Sequence, residues 1–199
     1  MLRMCYLYKM EAALKKSHYT VSEYLVMEEE ADFRSEYYEG EIFAMSGGTF
    51  IHDNIACNLI HALKGGLKGK GCFVHSSNLK VRIEKVDAFV YPDAMVVCSN
   101  RELYKNRKDI IENPKIVFEV LSPSTPAFDR GGKFMRYRTL SSLEEYVLVE
   151  QDFPSVEVFR KWEDGKWVLT DYQSMDDCVK LESLGIEISM QDIYEGVSF

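Results

Sequence analysis

The chain has 199 residues, 46% of them apolar, and no Pro/Gly/Ser-rich linker, repeat or low-complexity run, so it reads as one domain able to bury a sizeable core. Its formal net charge of −8 excludes a uniformly basic binder of nucleic acid. The opening Met1-Leu2-Arg3-Met4-Cys5-Tyr6-Leu7-Tyr8 is broken by Lys9 and Glu11, and no apolar run is long enough to span a membrane, so the expected setting is cytoplasmic with no membrane partner.

In chain order, residues 22–30 read as a helix and residues 36–45 as a hairpin-like pair of strands turned near Gly40. Ile51, Ile55, Leu59, Leu63 and Leu67 recur every four residues, which makes 51–67 an amphipathic helix with Thr49 as its cap. His52 and Asp53 stand in its first turn, where His52 can cap the helix, face solvent or reach a phosphate. Strands follow near Phe73, Lys80, Asp93 and Glu119. Leu79-Lys80-Val81-Arg82-Ile83-Glu84 alternates apolar and charged residues as a half-exposed strand does, which sends Lys80 toward solvent. Residues 99–114 read as a polar loop. A helix then carries Asp129, Lys133, Arg136 and Tyr137 at i, i+4, i+7 and i+8, on one face. Tyr146-Val147-Leu148-Val149, Val156-Glu157-Val158-Phe159 and Trp167-Val168-Leu169 read as antiparallel strands, with Glu163-Asp164-Gly165-Lys166 a hairpin turn. The pattern is an α/β (α+β) chain with a mixed sheet and helices outside it.

The five cysteines, Cys5, Cys57, Cys72, Cys98 and Cys178, show no paired short spacing. They are expected to be reduced, forming neither a zinc site nor a disulfide frame.

The chemistry concentrates between Tyr91 and Lys133. Ala94-Met95-Val96-Val97-Cys98 follows Asp93, and Ile116-Val117-Phe118 precedes Glu119; such continuous apolar runs form strands buried on both faces. A carboxylate at the edge of each is costly to bury without a compensating partner. Two carboxylates on adjacent strands suit magnesium or manganese, which take hard oxygen ligands and keep open positions for phosphate. Each acid alone has a plain structural reading, Asp93 as a cap after Pro92 and Glu119 as the partner of a Lys or Arg. Ser122-Pro123-Ser124-Thr125-Pro126 adds a rigid, hydroxyl-rich loop before the helix of Lys133.

Pro92-Asp93, Glu119-Val120-Leu121-Ser122-Pro123-Ser124-Thr125, Asp129, Lys133, Tyr137 and Glu145-Tyr146 resemble the Uma restriction-endonuclease family, within the PD-(D/E)xK nuclease superfamily. Tyr19-Thr20-Val21-Ser22-Glu23-Tyr24, the segment 36–41 with Gly40, and His52 opening a helix are similar to the family's amino-terminal half. The resemblance covers roughly residues 18–195, which leaves 1–17 as an amino-terminal extension of a single domain over 1–199. It implies a restriction-endonuclease-like mixed sheet flanked by helices and a metal-dependent nuclease acting on DNA. Asp93 and Glu119 become the catalytic ligands of magnesium or manganese, with a lysine assisting the attacking water. The usual lysine slot, two residues after Glu119, holds Leu121, which can neither orient water nor stabilise developing charge. Lys133 is the first candidate to take that role from another element, as a largely exposed helix lysine, and Lys80 is the second. His52, Asp129 and Tyr137 complete the candidate set.

Charge is segregated along the chain. Residues 61–138 hold 15 Lys and Arg against 8 Asp and Glu, while 1–60 and 139–199 are both acidic. A phosphate-facing surface is expected from Lys64, Lys68 and Lys70, from Arg101 to Lys108, and from Arg130 to Arg138. Nucleic acid, DNA first, is the expected partner, and a homodimer stays open. Two other readings fit the same residues: an inactive nuclease-fold protein that binds nucleic acid or protein, and an oligomeric module whose acids are structural.

Overall fold

The computed structural model describes residues 17–45, 47–122 and 129–199. Thr20 starts the first helix through a capping box: its hydroxyl accepts from the Glu23 amide at 3.3 Å, and the Glu23 carboxylate accepts from the Thr20 amide at 2.9 Å. That helix, α1 (Val21–Glu30), leads into the hairpin β1 (Ser35–Tyr38) and β2 (Glu41–Ala44). Gly40 turns the hairpin at φ 90°, a conformation that costs a glycine little. Thr49 caps α2 (Phe50–Gly66), its hydroxyl accepting from the His52 amide at 3.1 Å. Next come β3 (Cys72–Ser76), β4 (Lys80–Ile83), β5 (Ala88–Val90), β6 (Ala94–Cys98), β7 (Ile110–Ile111) and β8 (Ile116–Val120). A π-helical turn (Asp129–Lys133) runs into the short α3 (Phe134–Tyr137). Strands β9 (Glu145–Val149), β10 (Val156–Lys161), β11 (Trp167–Tyr172), β12 (Cys178–Leu181) and β13 (Ile186–Ser189) and helix α4 (Met190–Ile193) complete the fold.

The strands make a six-stranded mixed sheet, β11-β10-β9-β8-β6-β3, in which β8 and β9 are parallel, and a five-stranded sheet, β2-β1-β5-β4-β7. The β12-β13 hairpin stands apart. Alternation along the central strands sorts the core into layers. Ile116, Phe118 and Val120 of β8 pack with Ile55, Leu59 and Leu63 of α2. Val117 and Leu121 pack instead with Val81, Ile83 and Val90 of the five-stranded sheet. The outer face of that second sheet is closed by α1, where Tyr24, Tyr37 and Phe89 cluster. From outside to outside the layers are therefore α2, six strands, five strands and α1.

This α+β arrangement, with mixed sheets, carries the expected fold class, and three details differ from the sequence reading. The helix expected around Lys133 is a π-helical turn followed by one α-helical turn. The polar loop at 99–114 contains a 3₁₀ turn and β7. Cys72 and Cys98 form a disulfide where none was expected. They lie 26 residues apart, so no short spacing betrays them, but the antiparallel register of β3 and β6 sets them directly opposite. A disulfide needs an oxidising setting to persist, so the cysteines no longer argue for a reducing compartment. Among the described residues no helix is long and apolar enough to cross a membrane. Residues 123–126 of the expected hydroxyl-rich loop and nearly all of the expected amino-terminal extension lie outside the described residues.

Candidate active site

The β6–β8 register pairs Ala94 with Phe118, and one further step sets Asp93 opposite Glu119. Directly opposed residues share a face of the sheet. Odd-numbered residues of β8 point between the two sheets, and Glu119 follows them. On the facing sheet, Tyr37 of β1 points at α1, so its neighbour Glu36 points inward. Two acids thus enter the space between the sheets from one side and a third enters from the other.

Lys133 reaches into the same space from the π-helical turn. Its Nζ lies 3.2 Å from Glu119 Oε2, 3.5 Å from Glu36 Oε1 and 3.7 Å from Asp129 Oδ1. The Tyr137 hydroxyl donates to Glu119 Oε1 at 3.0 Å. Asp93 Oδ2 accepts from the Val120 amide at 2.7 Å and lies 3.3 Å from His52 Nε2. Glu36 Oε1 also accepts from the Tyr91 amide at 3.1 Å. Thr49, which caps α2 and so places His52, donates to Gln151, and Gln151 donates to the Leu121 carbonyl.

Burial gives these charges their strength. Only 3% of Glu119 is exposed and only 12% of the Lys133 side chain. Lys133 is therefore not the exposed helix lysine expected of it, because its turn folds it inward over Glu119. Burial pushes the Glu119 carboxyl well above the usual range; Lys133 pulls it back, and Asp93, Asp129 and Glu36 push it further up. Burial disfavours the Lys133 ammonium, but Glu119, Glu36, Asp129 and Asp93 together outweigh that and raise its pKa. Both shifts have one source, an excess of negative charge in a dry place. The His52 pKa is raised chiefly by its bond to Asp93, against the lowering effect of burial.

Of the sequence candidates, Asp93, Glu119, Lys133, His52, Asp129 and Tyr137 converge, and Lys80 does not. Lys80 belongs to the second sheet, and alternation turns it toward α1 while Val81 and Ile83 face the interior. It is buried rather than solvated, its Nζ donating to the Tyr91 hydroxyl at 3.0 Å and lying 3.1 Å from Asp109. Arg136 leaves the site as well, its guanidinium 3.5 Å from the centre of the Tyr38 ring. Glu36 is the member that sequence reasoning did not single out. Its signal is faint: one acid in Ser35-Glu36-Tyr37-Tyr38, no different in kind from Glu41 on the exposed β2. The basic middle of the chain is partly neutralised, with Arg130 on Glu150 and Glu157, Arg107 on Asp109 and Glu29, and Lys115 on Glu144.

The donors suit a hard divalent cation in kind, since all four acids offer carboxylate oxygen. Among the described residues no group of three or more His, Cys, Asp and Glu side chains has the spacing of a metal site. The carboxylates close on the Lys133 ammonium instead. Magnesium needs only one or two protein carboxylates beside water and phosphate, and Asp93 with Glu119 is the pair that could supply them.

Residues 21–191 match the Uma2 family, described as "Putative restriction endonuclease". The chain is 36% identical over 177 residues to the uncharacterized protein slr1290 of Synechocystis sp., across 89% of this chain and 92% of that one. It is 34% identical over 152 residues to the uncharacterized protein sll1609 of the same organism, across 76% and 86%. Its fold is similar to the crystal structure of a "putative nuclease belonging to DUF820" from Anabaena variabilis, with a TM-score of 0.72 over 87% of this chain and 96% of that one. At 20% identity that likeness is one of fold.

Proposed function

Because the chain belongs to the Uma2 family, described as "Putative restriction endonuclease", we propose that it is a magnesium- or manganese-dependent endonuclease that hydrolyses phosphodiester bonds in DNA. The observation that carries this reading is the convergence of Glu119, Glu36 and Asp129 on Lys133 in a buried space between two sheets, with Asp93 opposite Glu119. A structural role accounts poorly for it, since one ion pair needs one carboxylate and each further acid adds repulsion.

Asp93 and Glu119 would hold the cation through their carboxylate oxygens. When bound, that ion supplies Lewis acidity at the phosphate and lowers the pKa of a bound water. The Val120 amide and His52 fix Asp93, and the Tyr137 hydroxyl fixes Glu119, so both ligands are aimed before substrate arrives. Lys133 takes the role that Leu121 cannot fill. Its ammonium orients the attacking water and donates to the phosphate oxygens as charge develops on them. The water oxygen bonds to phosphorus as the bond to the leaving sugar oxygen breaks in line; the attacking water gives up a proton to solvent and the leaving oxygen takes one from solvent to become a hydroxyl. One such site per chain cuts one strand at a time, and a homodimer would let both strands of a duplex be cut in a single encounter.

Leu121 and the −8 charge keep a second reading alive, a nuclease fold that binds nucleic acid or protein without cutting. One experiment separates the two. The purified chain is incubated with duplex, single-stranded and branched DNA and with RNA, in manganese, magnesium or chelator. DNA cleavage that needs the divalent ion and disappears in Glu119→Gln is the expected result. Binding without cleavage under every condition supports the second reading, and cleavage indifferent to chelator contradicts the metal.

A further inference from the structure

Resting on the reading above, we propose that Lys133 is a built-in competitor for the divalent cation: its ammonium sits among the carboxylates while the site holds no ion and leaves them when an ion enters. One carboxylate, Glu119, serves both. Its Oε2 lies 3.2 Å from Nζ, with Glu36 Oε1 and Asp129 Oδ1 also within 3.7 Å, and among the described residues no group of three or more acids, histidines or cysteines has a metal's spacing. A divalent ion held by Glu119 meets a fixed positive charge at contact distance in a dry space, where such repulsion is weakly screened. The two cations therefore compete for Glu119.

The surroundings let the side chain move while the backbone stays. Phe134, the next residue, packs its ring on Tyr146, Phe159 and Trp167 at centroid distances of 5.5, 4.6 and 5.2 Å. Tyr137 is fixed by its bond to Glu119. Lys133 therefore stands on an anchored turn with a flexible stem, and exchange requires rotation about its own side-chain bonds alone. Exchange also turns the ammonium from carboxylates to substrate. A released Nζ is free to meet water and phosphate, so cation entry both loads the site and arms the lysine. The protein is then insensitive to divalent ions below the level at which they outcompete a tethered ammonium.

Two measurements on the full chain test this. Manganese is titrated by calorimetry into wild type, Lys133→Met and Glu119→Gln. Separately, wild type is acylated with an amine-reactive ester in manganese or in chelator, and modification at Lys133 is read by mass spectrometry. We expect Lys133→Met to bind manganese at least about tenfold more tightly than wild type, since no competitor need be displaced. Acylation of wild-type Lys133 should rise severalfold with manganese. The footprint needs no variant, so it decides the matter even if Lys133→Met does not fold. Manganese binding that depends on Glu119 but leaves Lys133 protected overturns the competition while sparing the metal reading. Failure of wild type and Lys133→Met alike to bind manganese overturns both.

Discussion

Two buried lysines invite comparison, Lys133 between the sheets and Lys80 beneath α1. Each has a carboxylate within reach and a tyrosine close by, and each is a site candidate by sequence. Their charge balance differs. Lys80 shares Asp109 with Arg107, which also pairs with Glu29, so two cations meet two acids. Burial pushes the Asp109 carboxyl up, but the bonds from Arg107 and Lys80 more than offset it and hold its pKa below the ordinary value. Around Lys133 the balance is lost, with Glu119, Glu36 and Asp129 sharing one cation, and burial pushes the Glu119 pKa up. Burial of a lysine alone does not single out a candidate site; a surplus of like charge does, because a further cation or protonation of one acid is needed to relieve it.

The largest expected effect lies in turnover. If the surplus marks the catalytic centre, Glu119→Gln and Asp93→Asn should each lower the rate of DNA cleavage in manganese by about 10²-fold or more, the scale of losing a preorganised electrostatic contact. Asp109→Asn should leave it within a few-fold. Initial rates on labelled duplex decide this, and equal losses in both clusters dissolve the comparison.

Stability without divalent ions is the next largest difference. Lys133→Met strands several buried carboxylates and should cost about 3–5 kcal/mol, the range for breaking a buried pair from one side. Lys80→Met leaves Asp109 with Arg107 and should cost about 1–3 kcal/mol, the desolvation cost of an orphaned polar partner. Urea denaturation in chelator at neutral pH measures both, and a larger loss at Lys80 contradicts the charge argument.

The smallest effect sharpens the edge of the acid cluster. The bond to Asp93 raises the His52 pKa, so this pair stabilises the fold fully below the ordinary histidine value of 6.5, and that stability is lost as pH rises through the raised folded value. His75, half-buried near Arg101 and Lys64, is shifted the other way, first by desolvation. NMR titration should find His52 above 6.5 and His75 below it, with Asp93→Asn moving only His52 down. A His52 unmoved by Asp93→Asn shows that the pair does not form.

Periodicity made much of this fold legible. Repeats of four marked α2 with its Thr49 cap, and continuous apolar runs marked β6 and β8, because burial on both faces leaves that trace directly in sequence. Asp93 and Glu119 were visible as acids at the ends of such runs. What the sequence hid depends on pairing between distant strands. Nothing local says that β4 and β6 lie in different sheets, so Lys80 could be proposed for a site it faces away from. Nothing local sets Cys72 opposite Cys98, or brings Glu36 across from Glu119. The inward turn of Lys133 was hidden too, since an i, i+4 pair with Asp129 fits a solvated helix equally well.

The central claim, that the acid-rich cluster and not the balanced one does the chemistry, is tested most directly by measuring manganese-dependent DNA cleavage by Lys133→Ala and Lys80→Ala side by side. Lys133→Ala is predicted to lose about 10²-fold in turnover or more while still binding DNA, and Lys80→Ala to lose far less. Activity that survives Lys133→Ala and vanishes in Lys80→Ala contradicts the account.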